Sequence, residues 1–153
     1  MDNQKISKEL YKLLNGEDLD TKQHEAMMLL TMTEDLWPHI AMISVGEIVA
    51  KDCTKLRLAL WPNTTTTHNI LRTSQATFVV FFAGKAYYIR LSLQRLTPLS
   101  NAKHTRERFS AEVVSVREDT AKYADITSGV KINLKDSDII IKRWYGTIEE
   151  LLR

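Results

Sequence analysis

Leu56-Arg57-Leu58-Ala59-Leu60-Trp61-Pro62-Asn63, running directly into Thr64-Thr65-Thr66-Thr67-His68-Asn69-Ile70-Leu71, is the stretch that decides the fold. Leucines at 56, 58 and 60 alternate with Arg57, Ala59 and Trp61, the two-residue period of a strand with one face on a core. A hydroxyl-rich turn then delivers the chain into a short helix, from about Thr66 to Ser74, and any of Thr64 to Thr67 can act as its N-cap. The first turn of a helix carries free backbone N–H groups and the positive end of the dipole, so this junction is a ready seat for a phosphate. It also reads, more plainly, as a threonine-capped connection. The neighbouring strands decide between the two.

Working outward, the segment after the helix, Ala76-Thr77-Phe78-Val79-Val80-Phe81-Phe82, is apolar on both faces and reads as a central, buried strand. Gly84-Lys85 is expected to make a two-residue turn with glycine at its first central position. In the next strand Tyr87, Ile89, Leu91 and Leu93 oppose Tyr88, Arg90, Ser92 and Gln94, giving a core face and a face that is polar or shared with a partner. Before the threonine turn, the apolar runs Glu25 to Thr33 and Pro38 to Val45 flank Glu34-Asp35-Leu36-Trp37 as a hairpin. Arg108 to Arg117 and Val130 to Leu134 are further strands, with residues 119–128 left ambiguous between them. Ile6, Leu10, Leu13 and Leu14 share one helical face ahead of Gly16. Thr147 and Glu150 have the spacing of a capping box, which predicts a last helix over Ile148 to Leu152. About six strands and three short helices point to a mainly β protein, an antiparallel barrel decorated at its rims. The long crossovers of a parallel sheet do not fit.

Composition narrows the rest. A chain of 153 residues is read as a single domain, 1–153, large enough to close a core unaided. One cysteine, Cys53, rules out an internal disulfide and a cysteine-rich zinc site, and nothing near it activates the thiol. With 21 basic and 19 acidic residues the net charge is +2, no basis for a nucleic-acid partner, and Lys103-His104-Thr105-Arg106-Glu107-Arg108 reads as a solvated loop. No apolar run approaches the roughly 18 residues of a membrane span, and the N-terminus lacks the apolar block of a signal peptide, so a cytoplasmic setting without a membrane is expected. His24, His39, His68 and His104 show no metal-ligand spacing, and no metal is expected. Among the tryptophans, Trp61 is the one placed to stack on a ligand; Trp37 and Trp144 read as core or interface.

The order of these elements, with Pro38-His39 opening one strand, Thr67-His68-Asn69-Ile70 in the turn and Tyr87-Tyr88-Ile89-Arg90 in a later strand, resembles the pyridoxamine 5′-phosphate oxidase-like flavin-binding split barrels over roughly residues 25–96. The resemblance implies a split β-barrel of antiparallel Greek-key type, assembled as a homodimer with FMN at the subunit interface. It places the isoalloxazine ring along Ala41, Met42, Ile43 and Ser44, whose backbone would bond the ring edge, with Leu60 and Trp61 beside the flavin. Thr65, Thr66 and Thr67 would hold the phosphate, and Asn69 would lie beneath it. The sequence departs from the true oxidases where they present arginine and lysine to the phosphate: Thr66 and Thr67 are neutral, and a seat without a charge-assisted partner binds more weakly. Lys51, Lys55 or Arg57 is the nearby source of such a charge. The oxidases' C-terminal segment with paired arginines has no counterpart, which argues against oxidation of pyridoxamine phosphate. Two functions follow: a flavoprotein oxidoreductase acting on an unidentified small molecule, or a non-catalytic module binding flavin, haem or another anionic aromatic ligand on the same barrel.

Overall fold

Alternation becomes strand wherever the sequence supplies it. In a computed structural model, which describes residues 3–153, these are β1 (Glu25–Met32), β2 (Pro38–Ser44), β3 (Ile48–Ala50), β4 (Lys55–Leu60), β5 (Gln75–Phe82), β6 (Lys85–Arg95), β7 (Glu107–Asp119) and β8 (Val130–Lys131). Four helices join them: α1 (Lys8–Leu14), α2 (Leu19–Lys22), α3 (Thr65–Thr73) and α4 (Ser137–Leu151). All pairings are antiparallel, in the order β2-β1-β5-β6-β7-β4-β3, with β8 added beside β1. The sheet curls into a split barrel whose two end strands, β2 and β3, are consecutive in the chain.

Cross-strand rows show how each face is built. Ala41, Leu29, Phe78, Ile89 and Val116 stand side by side across β2, β1, β5, β6 and β7, and point into the barrel with Leu56, Leu58, Leu60 and Phe109. The neighbouring rows, Met42-Met28-Val79-Tyr88-Arg117 and Ile40-Leu30-Thr77-Arg90-Ser115, form the outer face. Between Arg90 and Leu91 the register slips, because Val114 is an extra residue on β7, and this bulge leaves Val114 47% exposed on that face. Helix α1 starts at Ser7, whose hydroxyl accepts the Leu10 N–H, and buries Leu10, Leu13 and Leu14.

Three expectations are corrected. The β5–β6 hairpin turns on Ala83-Gly84, with φ of 53° and 80°, so glycine takes the second central position and Lys85 already belongs to the strand. Two consecutive left-handed residues match the twist of the flanking strands. The last helix is the fifteen-residue α4 and not a short one from Ile148. Thr147 therefore lies inside it, its hydroxyl donating to the Arg143 carbonyl at 3.1 Å, and Glu150 accepts the Lys103 N–H at 2.9 Å, so the capping box does not form. The short elements α2 and β3 were not expected. Among the described residues no helix is long and apolar enough to cross a membrane.

Candidate functional site

The threonine turn is wired largely to itself. Asn63 takes a left-handed φ of 62°, which asparagine tolerates, and turns the chain from Trp61 into α3. Thr64 is the N-cap: its hydroxyl oxygen accepts the Thr67 N–H at 3.1 Å and donates to the Thr67 hydroxyl oxygen at 3.1 Å. Thr67, 1% exposed, donates its own hydroxyl to the Trp61 carbonyl at 2.7 Å. Two of the four hydroxyls thus hold the turn closed. The N–H and hydroxyl groups of Thr65 and Thr66 have no hydrogen bond among the described residues; at the positive end of the α3 dipole Thr65 is exposed, whereas Thr66 is 5% exposed.

Asn69 is 3% exposed with both ends of its amide engaged: Nδ2 donates to Thr31 Oγ1 at 3.1 Å, and Oδ1 accepts from Arg72 at 3.1 Å. Arg72 also donates to the Met32 carbonyl. The pair clips α3 to β1, and the cation of α3 is spent on that clip. Arg57, the arginine expected near the phosphate, instead donates to the Leu151 carbonyl at 3.0 Å, at the end of α4.

Helix α3 packs against β1 and β2, so the threonine-capped helix and the edge strand are neighbours. Along β2, Ile43 and Ser44 are buried, Ala41 is half-buried and points inward, and Met42, 63% exposed, points outward. Since β2 pairs only with β1, alternate residues present unpaired backbone N–H and C=O groups on its free side. Leu60 is buried and Trp61 is 55% exposed, with the Arg106 guanidinium stacked 3.3 Å from its ring centroid. A cavity of about 620 Å³ opens on the outer face, between Met32 and Pro38 at one side and Arg90 and Val114 at the other.

A charged cluster that the sequence did not announce lies beside Trp61. Glu47 follows β2, accepts the Ser44 hydroxyl at 3.2 Å, and shares a cleft with Trp61, Arg106, Arg143 and Trp144. Burial pushes its carboxyl above the usual range, opposed by the Ser44 hydrogen bond and by the charges of Arg106 and Arg143. Burial, and then the charge of Arg143, lowers the Arg106 guanidinium. Gly46 makes the packing here: a Cβ on it would lie 2.1 Å from Cγ of the buried Trp144. These residues come from four separate segments, and no local spacing links them. Trp144 is core, as expected, whereas Trp37 is 69% exposed.

No family model matches the chain. It is 51% identical over 148 residues to the uncharacterized protein YclD of Bacillus subtilis (strain 168), a match spanning 97% of this chain and 96% of that protein. Solved structures share the fold at low identity. A candidate pyridoxamine 5′-phosphate oxidase of Lactobacillus delbrueckii is 16% identical, with a TM-score of 0.58 over 76% of this chain and 99% of its own. HupZ of Group A Streptococcus is 11% identical, with a TM-score of 0.56 over 84% of this chain and 99% of its own. An F420 reductase is 12% identical, with a TM-score of 0.53 over 73% and 98%. The fold is the split barrel of the pyridoxamine 5′-phosphate oxidase-like proteins.

Proposed function

We propose that this chain, which belongs to the same family as YclD of Bacillus subtilis and carries the pyridoxamine 5′-phosphate oxidase-like split barrel, binds FMN between two copies of itself and acts as a small oxidoreductase. The observation that carries this reading is the packing of α3, whose first turn has unspent N–H groups, against β2, which pairs on one side only. A flavin needs both, hydrogen-bond partners along one ring edge and donors for a phosphate. In this reading the backbone of Ala41, Met42, Ile43 and Ser44 bonds the ring edge, Leu60 and Trp61 flank it, and Thr65 and Thr66 seat the phosphate. Thr67 and Asn69 hold that seat in shape. When bound, FMN supplies hydride or electron transfer, and the barrel orients it.

The outer face supports the dimer. Ile40 (58% exposed) and Met42 on β2 and Val114 on β7 are exposed apolar residues at the two sides of an outer face that carries Tyr88 and Arg90 between them, residue types enriched in interfaces. Light scattering at micromolar concentration is expected to give a two-chain mass that Met42→Glu reduces to one; a monomeric wild type refutes the shared site. The reading as a binding module without turnover is favoured by the neutrality of the seat, since Arg72 is committed to Asn69 and Met32. Titration with FMN and riboflavin, followed by anaerobic exposure of the loaded protein to reduced nicotinamides, separates the two. Bleaching of the flavin bands supports the oxidoreductase, stable yellow protein supports the module, and no binding of either flavin refutes both.

A further inference from the structure

Arg57 and Arg108 stand on adjacent strands at the C-terminal end of α4 and cap it. Arg57 donates to the Leu151 carbonyl, and Arg108 to the Glu150 carbonyl at 3.3 Å and the Thr97 carbonyl at 2.8 Å. Positive charge at the negative end of a helix dipole explains their presence. It does not explain everything about Arg108, which is 8% exposed, meets no carboxylate among the described residues, and keeps a buried Nε without a partner. Burial, and then the charge of Arg57, lower its guanidinium, against the opposing charge of Glu150. A buried cation left in this condition is costly unless an anion joins it.

The space for an anion is present. Arg108 lines a cavity of about 220 Å³ between the 97–106 segment, Ala59 of β4 and the end of α4, with Arg106, His104, Ser100 and Thr105 also on its wall. The acidic residue on that wall is Glu150, whose carboxylate accepts the Lys103 N–H. Two arginines, one of them stacked on Trp61, with an imidazole and hydroxyl residues, therefore border one small space with a single carboxylate against them. The volume is below the roughly 300–1,000 Å³ of pockets that enclose drug-sized ligands. We infer that this cavity is a binding site for a small oxyanion, a phosphate or carboxylate group, gripped by Arg106 and His104 at its wall with Arg108 behind them. Guanidinium groups meet such groups through paired N–H donors, which is the chemistry this wall offers. No residue of the threonine turn lines this cavity, and Arg106, stacked on Trp61, is the residue that links it to the surroundings of the proposed flavin site.

The test is an amide-resolved NMR titration of the full chain with inorganic phosphate and, separately, with acetate, at constant ionic strength set by chloride. Saturating shifts at Ser100, Ala102, His104 and Thr105 in the millimolar range support the site, and the tighter of the two anions identifies the oxyanion class. Arg106→Gln, on a half-buried side chain away from the helix cap, is expected to weaken binding about tenfold or more, the loss of a charged hydrogen-bond pair; His104→Ala is a second variant whose exposed position spares the fold. Shifts confined to Thr65 and Thr66, no saturation with either anion, or binding unchanged in both variants overturns the inference.

Discussion

Thr65→Pro tests the phosphate seat with little disturbance around it. Thr65 is the first residue of α3, where proline is favoured because that N–H has no intrahelical acceptor and the helical φ is already proline's. The preceding Thr64 sits at φ −97° and ψ 162°, the extended conformation that a following proline requires. The substitution should leave stability unchanged or raise it by about 0.4–1 kcal/mol through the unfolded state. It deletes one donor from the seat. A hydrogen bond to a charged group is worth about 1.5–3 kcal/mol, so FMN affinity should fall roughly ten- to hundredfold. Riboflavin, which has no phosphate, should bind as before, and Thr65→Ala, which keeps the N–H, should recover most of the FMN affinity. Fluorescence titration of the three proteins with both flavins reads the effect, and thermal melts control for folding. Equal losses for FMN and riboflavin, or an FMN affinity untouched in a folded variant, would show that no phosphate sits at this helix start.

Thr67→Val behaves differently, because its hydroxyl is spent on the Trp61 carbonyl: a loss of about 1–2 kcal/mol, or roughly 2–8 °C in Tm, with the ratio of FMN to riboflavin affinity preserved. A selective loss of FMN would instead put the Thr67 hydroxyl on the phosphate. Gly46→Ala drives a methyl into the Trp144 ring and should cost at least the roughly 1–3 kcal/mol of ordinary overpacking, measured by urea unfolding. Adding Trp144→Leu should relieve part of that cost; strict additivity of the two single changes would rule out the clash. Because the folded state holds the Glu47 proton to a higher pH than the unfolded chain does, stability should fall as pH rises from the ordinary carboxyl range, near 4.3, through the raised value, and level off above it. Glu47→Gln should flatten that decline and gain relative to wild type as pH rises, and parallel pH profiles for the two proteins would remove Glu47 as its source.

The barrel was legible because its signals are local. Alternation in Leu56 to Trp61 and Tyr87 to Gln94 marks strands whatever surrounds them, and the apolar run from Ala76 to Phe82 marks a strand paired on both edges. The first three turns of α4, residues 137–147, were missed for a physical reason. Ile139-Ile140-Ile141 is a β-branched triplet with poor helix propensity, and only the longer spacing of Ile141, Trp144, Ile148 and Leu151, all buried, shows the helical stripe. Strand β3 has three residues, too few for any period to register. At the site, the threonine turn could be read from composition, but the division of labour among its hydroxyls could not: which threonine points back to Trp61 depends on the left-handed Asn63. The cluster of Glu47, Arg106 and Arg143 carries no sequence signal because only the closed fold brings its members together.

The strand order has a kinetic consequence. Strand β4 lies beside β7, with Leu60 opposite Glu107 and Lys55 opposite Glu112, although α3, β5 and β6 intervene along the chain. The hairpins β1–β2, β3–β4 and β5–β6 can each form from near neighbours, but docking β4 on β7 must close a loop of nearly fifty residues before any contact rewards it. Refolding should therefore run on the millisecond-to-second scale of barrels rich in distant pairings, with β5–β6–β7 assembled first and the β3–β4 hairpin arriving late. During that interval β7 presents an unpaired edge to any other chain in the same state. Association during refolding, more than instability of the finished barrel, is where a high protein concentration should do harm.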